Sequence, residues 1–320
     1  MKIVVLDGHT TNPGDISWGP LEALGTLEVF ERSAPEDVAP RCAGADVILT
    51  NKTVLDAATI SGLDSARFIG VLATGYNVVD VDAARERGIP VCNAPAYSSD
   101  SVAQMVFAHV LNFTQRVAQN AALVAEGRWN SCPDFCFWDQ PLTELSGKTF
   151  GVVGWGGIGQ ATGRLARAFG MDVLVHTRTV PEAAEEGIRF GSLEELWAES
   201  DVISLHCPLT EATERMVNAA AIDQMKEGVL LINTGRGPLL HEGDVLAAVQ
   251  SGKLGGVGLD VLTCEPPSDG NPLIGQPGVV VTPHIGWASR EARERLVRIT
   301  AGNVSALVSG SAINVVNGVG

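Results

Sequence analysis

Three polar loops in the second half of this chain hold the side chains best suited to acid–base work: Asn233-Thr234-Gly235-Arg236-Gly237, Asp260-Val261-Leu262-Thr263-Cys264-Glu265 and Pro283-His284-Ile285-Gly286-Trp287. Each comes after a short apolar run, and together they offer one guanidinium, two carboxylates and one imidazole. An imidazole can deliver a proton to a developing alkoxide, and a guanidinium can orient and polarise a carbonyl. A carboxylate hydrogen-bonded to the imidazole favours its charged form and fixes its orientation. His284, Arg236 and Glu265 are the candidates for these three tasks, which together amount to reduction of a carbonyl by hydride. The other histidines carry no such constellation. His206 sits between an apolar strand and Cys207-Pro208 and reads as structural, and His9, His109, His176 and His241 have no partner at chemical spacing.

A hydride must come from a cofactor, and Gly154-Trp155-Gly156-Gly157-Ile158-Gly159 points to one. These residues spell G-x-G-x-x-G between the apolar run Phe150–Val153 and a helical pattern. A strand turning sharply into a helix needs glycine where φ is positive, where a pyrophosphate presses on the backbone, and where helix and strand pack closely. The free N–H groups and dipole of that helix then face the phosphates. The loop therefore predicts a dinucleotide. Its second strand ends His176-Thr177-Arg178-Thr179, and Thr177 lies 23 residues after Gly154, where NAD binders place an acidic residue on the ribose hydroxyl. No carboxylate stands there. Thr177 removes a charge that would repel a 2′-phosphate and Arg178 offers a fork of donors, so NADP(H) is expected ahead of NAD(H).

The elements that must position these residues alternate short apolar runs with helical stretches, the pattern of βαβ units around parallel sheets. The runs before residue 100 are 3–6, 27–30, 47–49, 68–72 and 90–93. Those after residue 148 are 149–153, 173–176, 202–205, 229–232, 257–259 and 279–282. Two parallel sheets are expected, of about five and about six strands. A long helix is expected over Ser101 to Glu126, ending near Gly127, and another over Ser289 to Ser309.

Composition limits the partners. The chain has 320 residues, 45% of them hydrophobic, enough for two cores. A net charge of −15, with no Lys/Arg block, argues against nucleic-acid and anionic-membrane partners. Met1 runs straight into strand-like Lys2–Leu6 and no apolar run is long enough to cross a bilayer, so a cytoplasmic address is expected. The six cysteines are scattered as incidental thiols. Cys132 and Cys136 lack a second pair or a nearby histidine, and no metal is expected.

The chain resembles the D-isomer-specific 2-hydroxyacid dehydrogenases over nearly its whole length. The residues that carry the resemblance are Ala73-Thr74-Gly75-Tyr76-Asn77, Asn93-Ala94-Pro95-Ala96-Tyr97, Ser101-Val102-Ala103, the glycine loop, Leu205-His206-Cys207-Pro208-Leu209-Thr210, Asn233-Thr234-Gly235-Arg236-Gly237, Gly258-Leu259-Asp260-Val261 and Pro283-His284. That family uses Arg, Glu and His in this order for catalysis, and Arg236, Glu265 and His284 match, 29 and 19 positions apart.

The resemblance implies that Asp260 contacts the nicotinamide amide, and that Cys207, Pro208, Thr234, Gly235, Arg236 and His284 line the cofactor with Gly154, Gly156, Gly157, Ile158, Gly159, Thr177 and Arg178. It also implies that the backbone N–H groups of Ala73-Thr74-Gly75 hold a substrate carboxylate alongside Arg236 and His284. Tyr76-Asn77 and Trp287 look most like the glycerate dehydrogenase and hydroxypyruvate reductase branch, so a small 2-keto acid such as hydroxypyruvate or glyoxylate is the expected substrate. Other D-2-hydroxyacid specificities are the alternative, as is a non-catalytic, nucleotide-sensing module like the corepressors that share this fold. Two positions depart from the pattern: Gln104 stands where many members are acidic, and Gly286 where alanine is common.

The implied fold is α/β with two doubly wound parallel-sheet domains, a Rossmann cofactor domain inserted into a flavodoxin-like substrate domain. Residues 1–100 and 289–320 would form the substrate domain and 101–288 the NAD(P)-binding domain. A homodimer is implied, paired through the helix from Ser101.

Overall fold

Aliphatic runs become parallel strands where both faces of a sheet are covered, since every side chain is then buried whichever way it points. In the computed structural model, which describes residues 1–181 and 187–319, the runs form two such sheets in two compact units. One unit comprises Met1–Ser98 with Trp287–Gly320, and the other Ser99–Gly286.

The first unit holds β1 (Lys2–Val5), β2 (Thr26–Val29), β3 (Val47–Thr50), β4 (Phe68–Val71) and β5 (Val91–Cys92). All pair in parallel, in the order β2-β1-β3-β4-β5. Ile3 and Val5 face one core with Ala292, Leu296 and Val304 of the helix Arg290–Val308. Val4 and Leu6 alternate onto the opposite core with Ile48 and Ile69.

The second unit is built on seven parallel strands: β6 (Thr149–Val153), β7 (Asp172–His176), β8 (Ile188–Phe190), β9 (Val202–Leu205), β10 (Val229–Asn233), β11 (Leu254–Leu259) and β12 (Val279–Val281). Their order is β12-β11-β10-β9-β6-β7-β8, which reverses direction between β6 and β9. Open α/β sheets bind ligands at the carboxyl ends of the strands beside such a reversal. The seventh strand, β8, escapes the sequence reading because it has three residues, a charged Arg189 at its centre and an edge position that needs only one buried face.

The helix expected over Ser101 to Glu126 is two helices. Ser99–Gln115 buries Val102, Ala103, Val106, Phe107 and Val110, packing with Phe150, Val152 and Ile232. Arg116 then takes a left-handed conformation (φ 50°), and the next helix, Val117–Ala125, buries none of its residues. The apolar periodicity continues through the break, but the sheet beneath it does not. Among the described residues no helix is long and apolar enough to cross a membrane, all six cysteines are free, and no cluster of His, Cys, Asp and Glu has the makings of a metal site.

Candidate active site

The three glycines of the G-x-G-x-x-G loop do different things. Gly154 comes directly after β6 at φ +99°, and a Cβ there would lie 2.7 Å from both the His206 carbonyl carbon and the Cys207 nitrogen. A Cβ on Gly159 would lie 2.1 Å from the Gly154 carbonyl oxygen, so this glycine lets the helix Gly157–Ala168 approach the strand. Gly156 has no such constraint: nothing lies within 4 Å of the position its Cβ would take. Open space at that backbone, beside a helix N-terminus, suits the approach of a pyrophosphate. The Gln160 N–H donates to the Gly156 carbonyl, so the N–H groups of Gly157, Ile158 and Gly159 precede the helical ladder and point outward.

Other features fit the same group. Thr234 is buried, yet its Oγ1 has no hydrogen-bond partner, an atom that a ligand can satisfy. Thr177 is half-buried at the end of β7 and Arg178 is exposed beside it. Cys207 is half-buried and Pro208 exposed in the loop after β9. In that loop the His206 imidazole lies 2.9 Å from the Ser204 hydroxyl, and burial pushes it down to about 3. It is neutral and structural.

The candidate acid–base pair is formed. Nδ1 of His284 is 2.5 Å from Oε2 of Glu265, while Oε1 of Glu265 accepts the Leu262 N–H at 2.9 Å. The carboxylate is thereby fixed in its own loop and the imidazole is oriented by it, leaving Nε2 for chemistry. His284 itself adopts a left-handed backbone (φ 54°), uncommon for a residue with a side chain. Asp260, 2% exposed, secures the two residues after His284: Oδ1 accepts the Ile285 N–H at 3.0 Å and Oδ2 the Gly286 N–H at 2.7 Å. Gly286 is required here, because a Cβ would come 2.9 Å from Asp260 Oδ2 and 3.4 Å from the Met105 side chain.

The Arg236 loop is held by a residue that the sequence reading passes over. Asn233 ends β10 fully buried; its Oδ1 accepts the Gly235 N–H at 3.0 Å and its Nδ2 donates to the Arg236 carbonyl at 2.8 Å. The Arg236 side chain is exposed, with Nη1 donating to the Gly235 carbonyl at 2.7 Å, and its loop adjoins the Glu265 loop at Gly237. A signal for Asn233 does exist in the sequence, since an Asn at a strand end with Gly close behind it is a turn residue that bonds its own backbone.

The turn Ala73-Thr74-Gly75 lies in the other unit, after β4. Thr74 Oγ1 donates to the Ala94 carbonyl at 2.9 Å, and Asn93 Nδ2 donates to the Thr74 carbonyl at 2.7 Å. The backbone N–H groups of Thr74, Gly75 and Tyr76 make no hydrogen bond among the described residues, so the turn presents free donors.

Comparison with known proteins agrees with this geometry. A model of the D-isomer specific 2-hydroxyacid dehydrogenase NAD binding domain matches residues 107–286. A hydroxypyruvate reductase of Blautia hydrogenotrophica is 48% identical over 99% of this chain and 100% of its own length. A glycerate dehydrogenase of Methylorubrum extorquens is 37% identical over 88% of each chain. Among solved structures, an acyclic imino acid reductase in complex with NADPH and D-Arg is 30% identical and superposes with a TM-score of 0.84, covering 99% of this chain and 100% of that one. By the match of its dinucleotide-binding unit and this full-length kinship, the chain belongs to the D-isomer specific 2-hydroxyacid dehydrogenase family.

Proposed function

We propose that this enzyme reduces a small 2-keto acid, hydroxypyruvate or glyoxylate, to the D-2-hydroxy acid, and runs the reverse reaction by the same groups. The observation that carries this reading is the His284–Glu265 pair, in the same compact unit as the dinucleotide loop. Kinship with a hydroxypyruvate reductase and a glycerate dehydrogenase supports the substrate class.

The nicotinamide, when bound, supplies the hydride. Gly156 and the N–H groups of Gly157, Ile158 and Gly159 would receive the pyrophosphate, with Gly154 forming the turn before them, and Thr234, Gly235, Cys207 and Pro208 would line the cofactor. His284, oriented by Glu265, donates its proton to the oxygen of the former keto group. Arg236 holds the substrate carboxylate and keto oxygen by charge-assisted hydrogen bonds. In the other unit, the free N–H groups of the Ala73-Thr74-Gly75 turn are donors suited to a carboxylate, and this turn is assigned to substrate binding.

NADP(H) is the preferred dinucleotide, because Thr177 and Arg178 offer a hydroxyl and a cation where a 2′-phosphate would lie. The enzyme works as a homodimer. Support comes from the segment after the helix break rather than from the helix starting at Ser99. Val117, Val124, Trp129, Phe135, Trp138 and Leu142 are all exposed there, a concentration of apolar side chains in one segment that suits a partner surface.

A panel of hydroxypyruvate, glyoxylate, pyruvate and bulkier keto acids, each with NADPH and NADH, tests the function through loss of cofactor absorbance. Fastest turnover of hydroxypyruvate and glyoxylate, with NADPH, is expected. No turnover across the panel would leave a nucleotide-sensing module as the reading.

A further inference from the structure

Met105, His109 and Phe113 recur every four residues on the helix Ser99–Gln115, and each rests where the opposing backbone has no side chain. A Cβ on Gly286 would meet the Met105 side chain at 3.4 Å, one on Gly258 would meet His109 at 2.8 Å, and one on Gly256 would meet the Phe113 ring at 2.7 Å. The helix is therefore seated directly on β11 and on the segment just after His284. From that seat His109, almost fully buried, places Nε2 3.2 Å from Thr282 Oγ1. Thr282 Oγ1 lies in turn 2.6 Å from Asp260 Oδ1.

The directions of these bonds are fixed by counting hydrogens. Thr282 has one hydroxyl hydrogen, and the Asp260 carboxylate can only accept, so the short contact uses it. The contact with His109 then requires a hydrogen on Nε2. Burial lowers the affinity of the His109 imidazole for a second proton, so the ring is neutral with Nδ1 bare. A chain of donors runs from His109 through Thr282 to Asp260, and Asp260 holds the two amides directly after His284. A residue at φ 54° keeps that strained conformation only if its surroundings determine it.

We propose that His109 and Thr282 are positioning residues. They fix the Asp260 carboxylate, and through it the Ile285 and Gly286 amides, so that His284 stays in the backbone conformation that presents its imidazole to substrate. The proposal rests on His284 being the proton donor, and its test separates the two.

His109→Phe keeps the ring on Gly258 but removes the donor, whereas His109→Gln returns an N–H near the position of Nε2. Thr282→Val removes the hydroxyl and Thr282→Ser keeps it. At saturating keto acid and dinucleotide, kcat should fall roughly 5–10-fold in H109F and in T282V, the worth of one hydrogen bond. KM should change little, and H109Q and T282S should recover most of the rate. The double variant H109F/T282V should be no slower than the slower single variant, because the two act in series.

Amide hydrogen exchange at Ile285 and Gly286, measured on the protein without substrate, should accelerate in H109F and T282V. Unchanged kcat with unchanged exchange in both would overturn the proposal, as would a lowered Tm with kcat intact. If one variant does not fold, the other gives the same reading. Activity retained in His284→Ala would instead sink the assignment of His284, and the exchange experiment would still decide whether His109 and Thr282 hold the loop.

Discussion

Gly237, the residue after Arg236, is packed so closely against Leu262 that a Cβ on it would lie 2.0 Å from the Leu262 carbonyl carbon. The loop carrying the cation and the loop carrying Glu265 are thus in backbone contact, and neither can move without the other. Because the obstacle is backbone rather than a flexible side chain, Gly237→Ala must push the loops apart. Overpacking of this kind costs about 1–3 kcal/mol. The expected outcome is a lower Tm together with a fall in kcat/KM that resembles a milder Arg236→Ala, whose own loss should be roughly 10–1,000-fold. Wild-type kinetics in G237A would show that the spacing of the two loops is irrelevant to turnover.

The pairing of His284 with Glu265 gives the reaction a pH signature. Reduction consumes the protonated imidazole, so its rate is full on the acid side and falls as pH rises and the ring loses its proton. Oxidation of the hydroxy acid needs the neutral ring and should show the opposite slope. Glu265→Gln replaces the carboxylate that orients the imidazole, which should lower kcat in both directions. His284→Ala should cost about 10²–10⁴-fold in kcat, while binding of NADPH, monitored by fluorescence, stays intact. A flat reductive profile, or an intact kcat in E265Q, would dismiss the pair from proton transfer.

The two loop glycines make a contrast that sequence alone could not draw. Gly154 combines positive φ with 2.7 Å of clearance to backbone, so Gly154→Ala should unfold or strongly destabilise the dinucleotide-binding unit. Gly156 borders open space, so Gly156→Ala should leave Tm nearly unchanged and weaken dinucleotide binding by crowding the pyrophosphate. Calorimetric titration beside thermal unfolding separates these cases. Equal loss of stability in both would mean that Gly156 is also structural.

Much of this site is legible in the sequence because its chemistry lies at the ends of strands whose apolar runs stand out. The glycine loop, Arg236, Glu265 and His284 all sit immediately after or close to such runs, where residue type and spacing carry the information. Beyond Asn233 and Asp260, the supports are not legible. His109 falls on a helix face that reads as apolar core, and only the tertiary contact with Thr282, 173 positions away, gives it a partner. The break at Arg116 is hidden for a related reason: helical periodicity persists past Gln115, and what ends the helix is the loss of a sheet to pack on. Gly286 looks like a departure from the family pattern until Asp260 Oδ2 is seen where a methyl group would go.

The proposed preference for NADP(H) makes cofactor choice turn on Thr177 and Arg178. Thr177→Asp places a carboxylate where it would bond a ribose hydroxyl and repel a 2′-phosphate, and Arg178→Ala removes the phosphate's cation. The R178A variant should lose roughly 10-fold or more in kcat/KM with NADPH while NADH is unaffected, the scale of one charge-assisted hydrogen bond. T177D should reverse the preference. Equal loss with both cofactors in R178A would place the guanidinium away from the 2′ position.

The helix that closes the first unit is anchored by one ion pair, and that pair sets its acid limit. Arg293, almost fully buried, donates from Nη1 and Nη2 to the two oxygens of Asp15 at 2.6 and 2.7 Å, and from Nε and Nη1 to the carbonyls of Ala288 and Thr11. These hydrogen bonds from Arg293, reinforced by its charge, hold the Asp15 carboxyl below its ordinary value of 3.8. A carboxyl that binds its proton more weakly in the folded chain than in the unfolded one stabilises the fold above that ordinary value. The contribution disappears as pH falls through the lowered folded value. Asp15→Asn leaves Arg293 buried without its counter-charge, so its Tm should lie below that of the parent at neutral pH. On acidification through the lowered folded value the parent loses its advantage and the two Tm values should converge. Persistence of the full gap at that acidity would show that Asp15 stabilises the unit by something other than its charge.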